Sequence, residues 1–267
     1  MATPSLRIAP PPVAGSVPEA AARPLQGPTT MRPVLVIEHT EGDGPGHFGE
    51  WLAARGRPAT LVRVHAGEPV PARPDGHAGL CVLGGPMGAN DLHLDHIGAE
   101  LGLIRAALDA RVPTIGHCLG GQLLAKALGA TVGPSPAPEI GWHAIEVEDT
   151  PAARRWFGDA RAPVLMQWHR DAFALPRGAV PLAGNASCPR QAFEWDGVHL
   201  GLQGHPEADR AKVEHWVAKH AGRPRSPDGP PTVQPPAAIL AGLDAHLAPM
   251  RALAFRLYDA WGAGLRD

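Results

Sequence analysis

Pro113-Thr114-Ile115-Gly116-His117-Cys118-Leu119-Gly120-Gly121-Gln122 carries an apolar strand into Gly-x-Cys-x-Gly and straight on into a helix. This is the build of a nucleophile elbow, where small flanking residues let one side chain stand exposed above the strand end. The helix that starts just after Cys118 sets amide donors and a positive dipole end near its sulfur. Both favour the reactive thiolate. The same stretch also reads as a buried structural cysteine in a glycine-rich turn, the common fate of free cysteines. Taken alone, it leaves the two readings balanced.

Outward from the elbow, strands and helices alternate. Upstream, Val34–Glu38 reads as a buried strand, Phe48–Arg55 as a helix, Thr60–His65 and Leu80–Leu83 as strands. Ile97, Leu101, Ile104 and Leu108 give Ile97–Arg111 helical spacing, Val112–Gly116 is the strand entering the elbow, and Leu119–Leu128 is the helix leaving it. Downstream of Gly133 come short β-prone pieces, Trp142–Val147, Val164–Gln167, Arg190–Trp195 and Val198–Leu202, then a helix from Ala208 to His220. Strands separated by helical segments argue for an α/β fold: a mostly parallel open sheet with helices on both faces.

The flanks differ in character. Residues 1–30 hold seven prolines without hydrophobic periodicity and read as a disordered tail; residues 31–222 form the domain. Residues 223–236 read as a proline-rich linker. Across 237–267, Ile239, Leu240, Leu243, Leu247, Met250, Leu253, Leu257 and Trp261 recur at three- and four-residue steps. They predict a C-terminal amphipathic helix, bent at Pro249, that folds back as a cap.

Composition narrows the class. The 267 residues carry a formal net charge of -2, which gives no electrostatic reason to expect nucleic acid or a membrane surface as partner. Three cysteines, Cys81, Cys118 and Cys188, are too few and scattered for a disulfide framework and point to a reducing cytoplasm. No apolar run approaches the ~18 residues of a membrane span. His93 and His96 beside Asp91 and Asp95 read as solvated residues, so no metal or cofactor is expected.

Two further stretches carry chemistry. Leu200-Gly201-Leu202-Gln203-Gly204-His205-Pro206-Glu207 delivers His205 at the end of a β-prone run, with Glu207 two residues on. A cysteine nucleophile needs a base, and the base needs an acceptor to fix its tautomer. Taken alone, one His near one Glu is usually a satisfied surface pair. Gly84-Gly85-Pro86-Met87-Gly88 follows the strand Leu80–Leu83 and lacks the Lys-Ser or Lys-Thr of a phosphate loop. An oxyanion hole from the amides of Gly85 and Leu119 fits it better, with an ordinary turn as the alternative.

In order and spacing, these three pieces resemble the class I glutamine amidotransferases, nearest to stand-alone proteins like the amidotransferase domain of GMP synthase. The likeness runs from about Val34 to Glu207. It implies a flavodoxin-like sheet, Cys118 as nucleophile, His205 as general base and acid, and Glu207 as its orienting partner. It also implies Gly85 and Leu119 as oxyanion donors and Gln122 as a holder of the substrate. The stretch Gln167-Trp168-His169-Arg170-Asp171 matches a segment that grips the substrate's α-amino and carboxylate groups, so Trp168, His169 and Asp171 are candidate binding residues. Gly121 and Gly204 stand where the family carries larger residues, an expectation of added space near the nucleophile.

The resemblance implies acyl transfer: a thioester on Cys118, with glutamate and ammonia as products. Only 60 residues follow Glu207, and no ATP-grasp or P-loop pattern is visible, so the ammonia has either a separate synthetase subunit as acceptor or none. A γ-glutamyl-conjugate hydrolase would use the same residues on a different amine. A non-catalytic regulatory relative is a third reading, against which the intact Cys118, His205 and Glu207 argue. The acceptor, the physiological amine and whether the protein forms a homo-oligomer are not written in the sequence.

Overall fold

Val34–Glu38 (β1) is buried at every position. Val34 and Val36 belong to one hydrophobic core, Leu35 and Ile37 to another, so this strand has a packed layer on each side. The computed structural model describes residues 31–220 and 229–266; the expected 1–30 tail and the first part of the expected linker lie outside them.

After β1 come α1 (Gly46–Ala54), β2 (Ala59–Arg63), β3 (Gly79–Val82), α2 (Asp95–Asp109), β4 (Thr114–His117) and α3 (Leu119–Ala127). The second half adds β5 (Val132–Ala144), β6 (Glu146–Val147), α4 (Pro151–Phe157), β7 (Val164–Phe173), β8 (Val180–Gly184), β9 (Ala192–Trp195) and β10 (His199–Leu202). It closes with α5 (Arg210–His220), α6 (Pro236–Ala241) and α7 (Leu243–Gly262). The main sheet has the order β2-β1-β3-β4-β10-β9-β8-β6. Pairings from β2 to β10 are parallel and those from β10 to β6 antiparallel. Helices α2 and α3 cover one face, while α1, α4, α5 and α7 cover the other.

Sequence reading is short in three places. The first is β5, which begins at Val132 and pairs with β7 as a separate two-stranded arm, its register slipping between Pro134 and Glu139. Prolines at 134, 136 and 138 remove ladder donors and mask the strand in the sequence. The second is α4, whose signal was legible: Thr150 accepts from the Ala153 N–H at 3.1 Å, and Pro151 follows at the first helical position. The third is β8, a short proline-containing strand.

The C-terminal segment also differs from expectation. Residues 232–234, read as linker, lie along β5: Ile140 N–H donates to Thr232 O at 2.9 Å and Gln234 N–H to Ile140 O at 2.9 Å. The Gln234 amide then bonds both backbone groups of Trp142. The helix is two helices, broken at Gly242, and α7 runs on through Pro249. Its apolar stripe is buried: Leu257, Tyr258 and Trp261 pack with Phe48 and Trp51 of α1. Each such side chain contributes about 1.5–3 kcal/mol of burial. Asp259 adds bonds to Trp51 Nε1 at 2.8 Å and to Arg55.

Candidate active site

β1, β3, β4 and β10 all point their carboxyl ends at one crevice, the place where open α/β sheets hold ligands. Cys118 stands there at φ 49° and ψ -107°, a strained left-handed conformation for a non-glycine residue. The turn is tight because its glycines permit it: a Cβ on Gly116 would lie 2.3 Å from the Gly120 backbone, and one on Gly120 2.0 Å from Val82 O. Cys118 N–H donates to Leu202 O at 2.8 Å, which ties the elbow to the strand delivering His205.

His205 Nδ1 donates to Glu207 Oε1 at 2.8 Å. Its other nitrogen, Nε2, is buried and without a hydrogen-bond partner. A Cβ on Gly84 would meet His205 Cε1 at 2.7 Å and Cys118 Cβ at 3.6 Å, so imidazole and cysteine flank this one glycine. Burial opposes a charge on His205, but the Glu207 carboxylate and Cys118 beside it outweigh burial and raise its pKa to about 10. Burial likewise pushes the Glu207 carboxyl up, and His117, His205 and Lys212 together hold it well below the usual carboxylate range. Lys212 Nζ lies 4.0 Å from Glu207 Oε1, with its side chain almost wholly buried.

Beneath the elbow, His117 faces away from the crevice, as a regular turn requires. Its Nε2 lies 3.2 Å from Tyr258 OH of α7 and 4.0 Å from Glu207 Oε2. Burial depresses its pKa to about 4 and keeps it neutral.

Gly85 and Leu119 are adjacent: a Cβ on Gly85 would sit 3.0 Å from Leu119 Cδ2. Sequence reasoning missed what fixes this pair. His39, just past β1, donates from Nδ1 to Gly84 O at 3.1 Å, and its Nε2 meets Glu100 Oε2 at 2.9 Å in a fully buried pair. With the Gly84 carbonyl held towards His39, the Gly85 N–H of the same trans peptide faces the opposite way. Glu100 was the available signal, since it shares the buried stripe of α2 with Ile97, Leu101 and Ile104.

The remaining candidates line the same cavity, of about 540 Å³. Gln122 Nε2 donates to Asp171 O at 3.0 Å, bracing the β7 segment from the elbow helix. Gln203 Nε2 lies 3.7 Å from Cys118 Sγ, a contact the sequence did not suggest. His169 Nε2 meets Glu139 Oε2 at 3.1 Å. Among the described residues, Glu139, His169 and Cys188 form a cluster of metal-ligand type, their ligand atoms within 4.8 Å of one another. The Glu139 carboxylate is already filled by donors from His169, Asn185 and Gln191, and burial pushes the Cys188 thiol up to about 12. That donor set is a hydrogen-bonded brace.

The expected space at Gly121 and Gly204 is absent. A Cβ on Gly121 would lie 2.4 Å from Leu202 O, and one on Gly204 2.8 Å from Gln167 Nε2. The first glycine marks a close helix–strand approach and the second is covered by Gln167. Room exists elsewhere, beyond His205, where Trp168, Trp216, His220, Ile140 and Ile239 line the cavity.

No helix among the described residues is long and apolar enough to cross a membrane. A family model for glutamine amidotransferase class-I matches residues 50–219. The glutamine amidotransferase-like protein YfeJ of Salmonella typhimurium is 33% identical over 69% of this chain and 79% of its own length. A glutamine-hydrolyzing GMP synthase of Aeropyrum pernix is 34% identical over 72% of this chain, which spans only 37% of that relative. The crystal structure of a glutamine amido transferase from Methylobacillus flagellatus superposes with a TM-score of 0.85 at 38% identity, covering 89% of this chain and 96% of its own. The chain belongs to the class-I glutamine amidotransferase family.

Proposed function

We propose that the protein hydrolyses the γ-carboxamide of glutamine through a thioester on Cys118. The proton of the cysteine rests on His205 Nε2, whose pKa is raised to about 10, and the Cys118 sulfur attacks the γ-carbonyl carbon as thiolate. The N–H groups of Gly85 and Leu119 take the oxyanion of the tetrahedral intermediate. Collapse breaks the C–N bond, and His205 gives its proton to the nitrogen, which leaves as ammonia. Water, deprotonated by the same imidazole, cleaves the thioester to glutamate and restores the thiol. Glu207 holds Nδ1 throughout and so keeps Nε2 on the cysteine side. The braced segment Trp168–Asp171 and Gln122 hold the amino-acid end.

One observation carries this reading: the buried, unpartnered His205 Nε2 beside a strained Cys118, with Nδ1 already spent on Glu207. Glutamate release by the purified chain tests it, together with mass detection of the γ-glutamyl adduct after acid quench. Cys118→Ala is expected to abolish both while the protein stays folded. Full activity in folded Cys118→Ala overturns the assignment.

When glutamine itself is the amide cleaved, the ammonia is passed to a separate synthetase polypeptide. Support comes from the glutamine-hydrolyzing GMP synthase relative, of which this chain spans 37%. A slow glutaminase that accelerates on adding its synthetase is the expected result; a rate indifferent to any such protein overturns the hand-over.

A further inference from the structure

We propose that the part of the cavity beyond His205 is a subsite for the amine of the scissile amide, and that its preferred occupant is an amine bearing an aromatic ring. The proposal rests on the amide-cleavage reading above and names its substrate class. The cavity, at about 540 Å³, lies in the range that takes drug-sized ligands, far more room than the short chain of glutamine fills.

Its two ends differ in chemistry. Around Cys118 the lining is glycine backbone, the Gln122 side chain and the braced backbone of Asp171. Beyond His205 it is aromatic. The His205 ring stands edge-to-face on Trp216 at 4.8 Å, Trp216 lies 5.6 Å from Trp168, and Trp168 lies 5.1 Å from His220. Ile140 and Ile239 complete the wall.

The direction of the substrate follows from the proton. His205 gives its proton to the departing nitrogen, so that nitrogen sits at His205, and any substituent on it runs on towards the rings. Trp168 joins both ends: its carbonyl lies 4.0 Å from Cys118 Sγ, while its ring stands in the aromatic wall. Two polar handles of that wall are already used. Trp216 Nε1 donates to Asp43 at 3.0 Å, and His220 Nδ1 donates to Trp216 O at 2.8 Å. The rings, packed on one another, present a continuous aromatic surface on which a ligand ring can stack. Departing ammonia has no surface to match them.

The test compares kcat/KM of the full-length protein for L-glutamine, γ-glutamylmethylamide and γ-glutamylbenzylamide. Benzylamine is the less basic leaving group, which acts on the C–N cleavage step in kcat, so the ring is read in KM. The expected benzylamide preference over methylamide is about tenfold or more, carried by a lower KM. Trp168→Leu and, separately, His220→Ala are each expected to shrink that preference several-fold. Cleavage of glutamine or methylamide with a benzylamide ratio near one overturns the subsite and leaves amide cleavage standing. Glutamate release from none of the three overturns the cleavage reading and the subsite with it.

Discussion

Two buried histidine–glutamate pairs meet at Gly84, and they are built for opposite ends. His39 spends both ring nitrogens, one on the Gly84 carbonyl and one on Glu100. His205 spends one on Glu207 and keeps the other bare, next to Cys118. The same two side-chain types therefore give a brace at the end of β1 and, on the proposed reaction, a proton shuttle at the end of β10. The nitrogen left uncommitted, and what stands beside it, separates the two. Burial cannot, since both pairs are buried.

The widest gap between the pairs lies in their replacement by alanine. His205→Ala removes the group that takes and returns the proton, and kcat is expected to fall about 10³–10⁴-fold. Steady-state glutamate release measures it. A variant near wild type would transfer the shuttle to another histidine, His169 first, because it lines the same cavity.

Glu207→Gln comes next, with an expected loss of about a hundredfold in kcat, since geometry survives and charge support does not. Its diagnostic is pH. The Glu207 carboxylate helps raise the His205 pKa to about 10, so the alkaline limb of the wild-type rate profile is expected near that value. With glutamine at 207 the limb moves to lower pH. Stability follows the same sign: the charged pair contributes fully below the ordinary imidazole value of 6.5 and is lost as pH climbs through about 10. Melting curves across that window are expected to show the decline in wild type and little of it in Glu207→Gln.

His39→Ala addresses the brace. The Gly84–Gly85 peptide loses its anchor while the Gly85 N–H itself remains. The expected kcat loss is about tenfold, below the ~10²–10³ that follows deletion of an oxyanion donor, with KM little changed. A loss as large as that of His205→Ala would erase the distinction between the two pairs.

How much of this was legible follows from where each partner sits in sequence. His205 and Glu207 are two residues apart, and Cys118 lies between glycines that its tight turn demands, so local pattern was enough. His39 and Glu100 are 61 residues apart, and only the oddity of a carboxylate on the apolar stripe of α2 pointed to a buried partner. The arm of β5 and β7 was obscured by prolines that break its ladder. Gly121 and Gly204 misled for a general reason: a missing side chain suggests space, whereas the backbone of Leu202 and the side chain of Gln167 occupy it.

The smallest expected effect tests how far the C-terminal helix reaches into this chemistry. Tyr258 of α7 is fully buried, its hydroxyl 3.2 Å from His117 Nε2, and that nitrogen is 4.0 Å from the Glu207 oxygen that no hydrogen bond fills. Tyr258→Phe keeps the ring packed on Phe48 and removes only the hydroxyl. His117 then loses a buried partner, at a cost of about 1 kcal/mol, which for a domain of this size lowers Tm by roughly 2–4 °C. Because His117 is neutral and lies below the elbow, kcat is expected to stay within about twofold of wild type. Thermal melts and glutamate release on one preparation read both quantities. A large fall in kcat with Tm unchanged would mean that Tyr258 sets the charge on Glu207 through His117, and α7 would then belong with the His205 pair rather than with the scaffold.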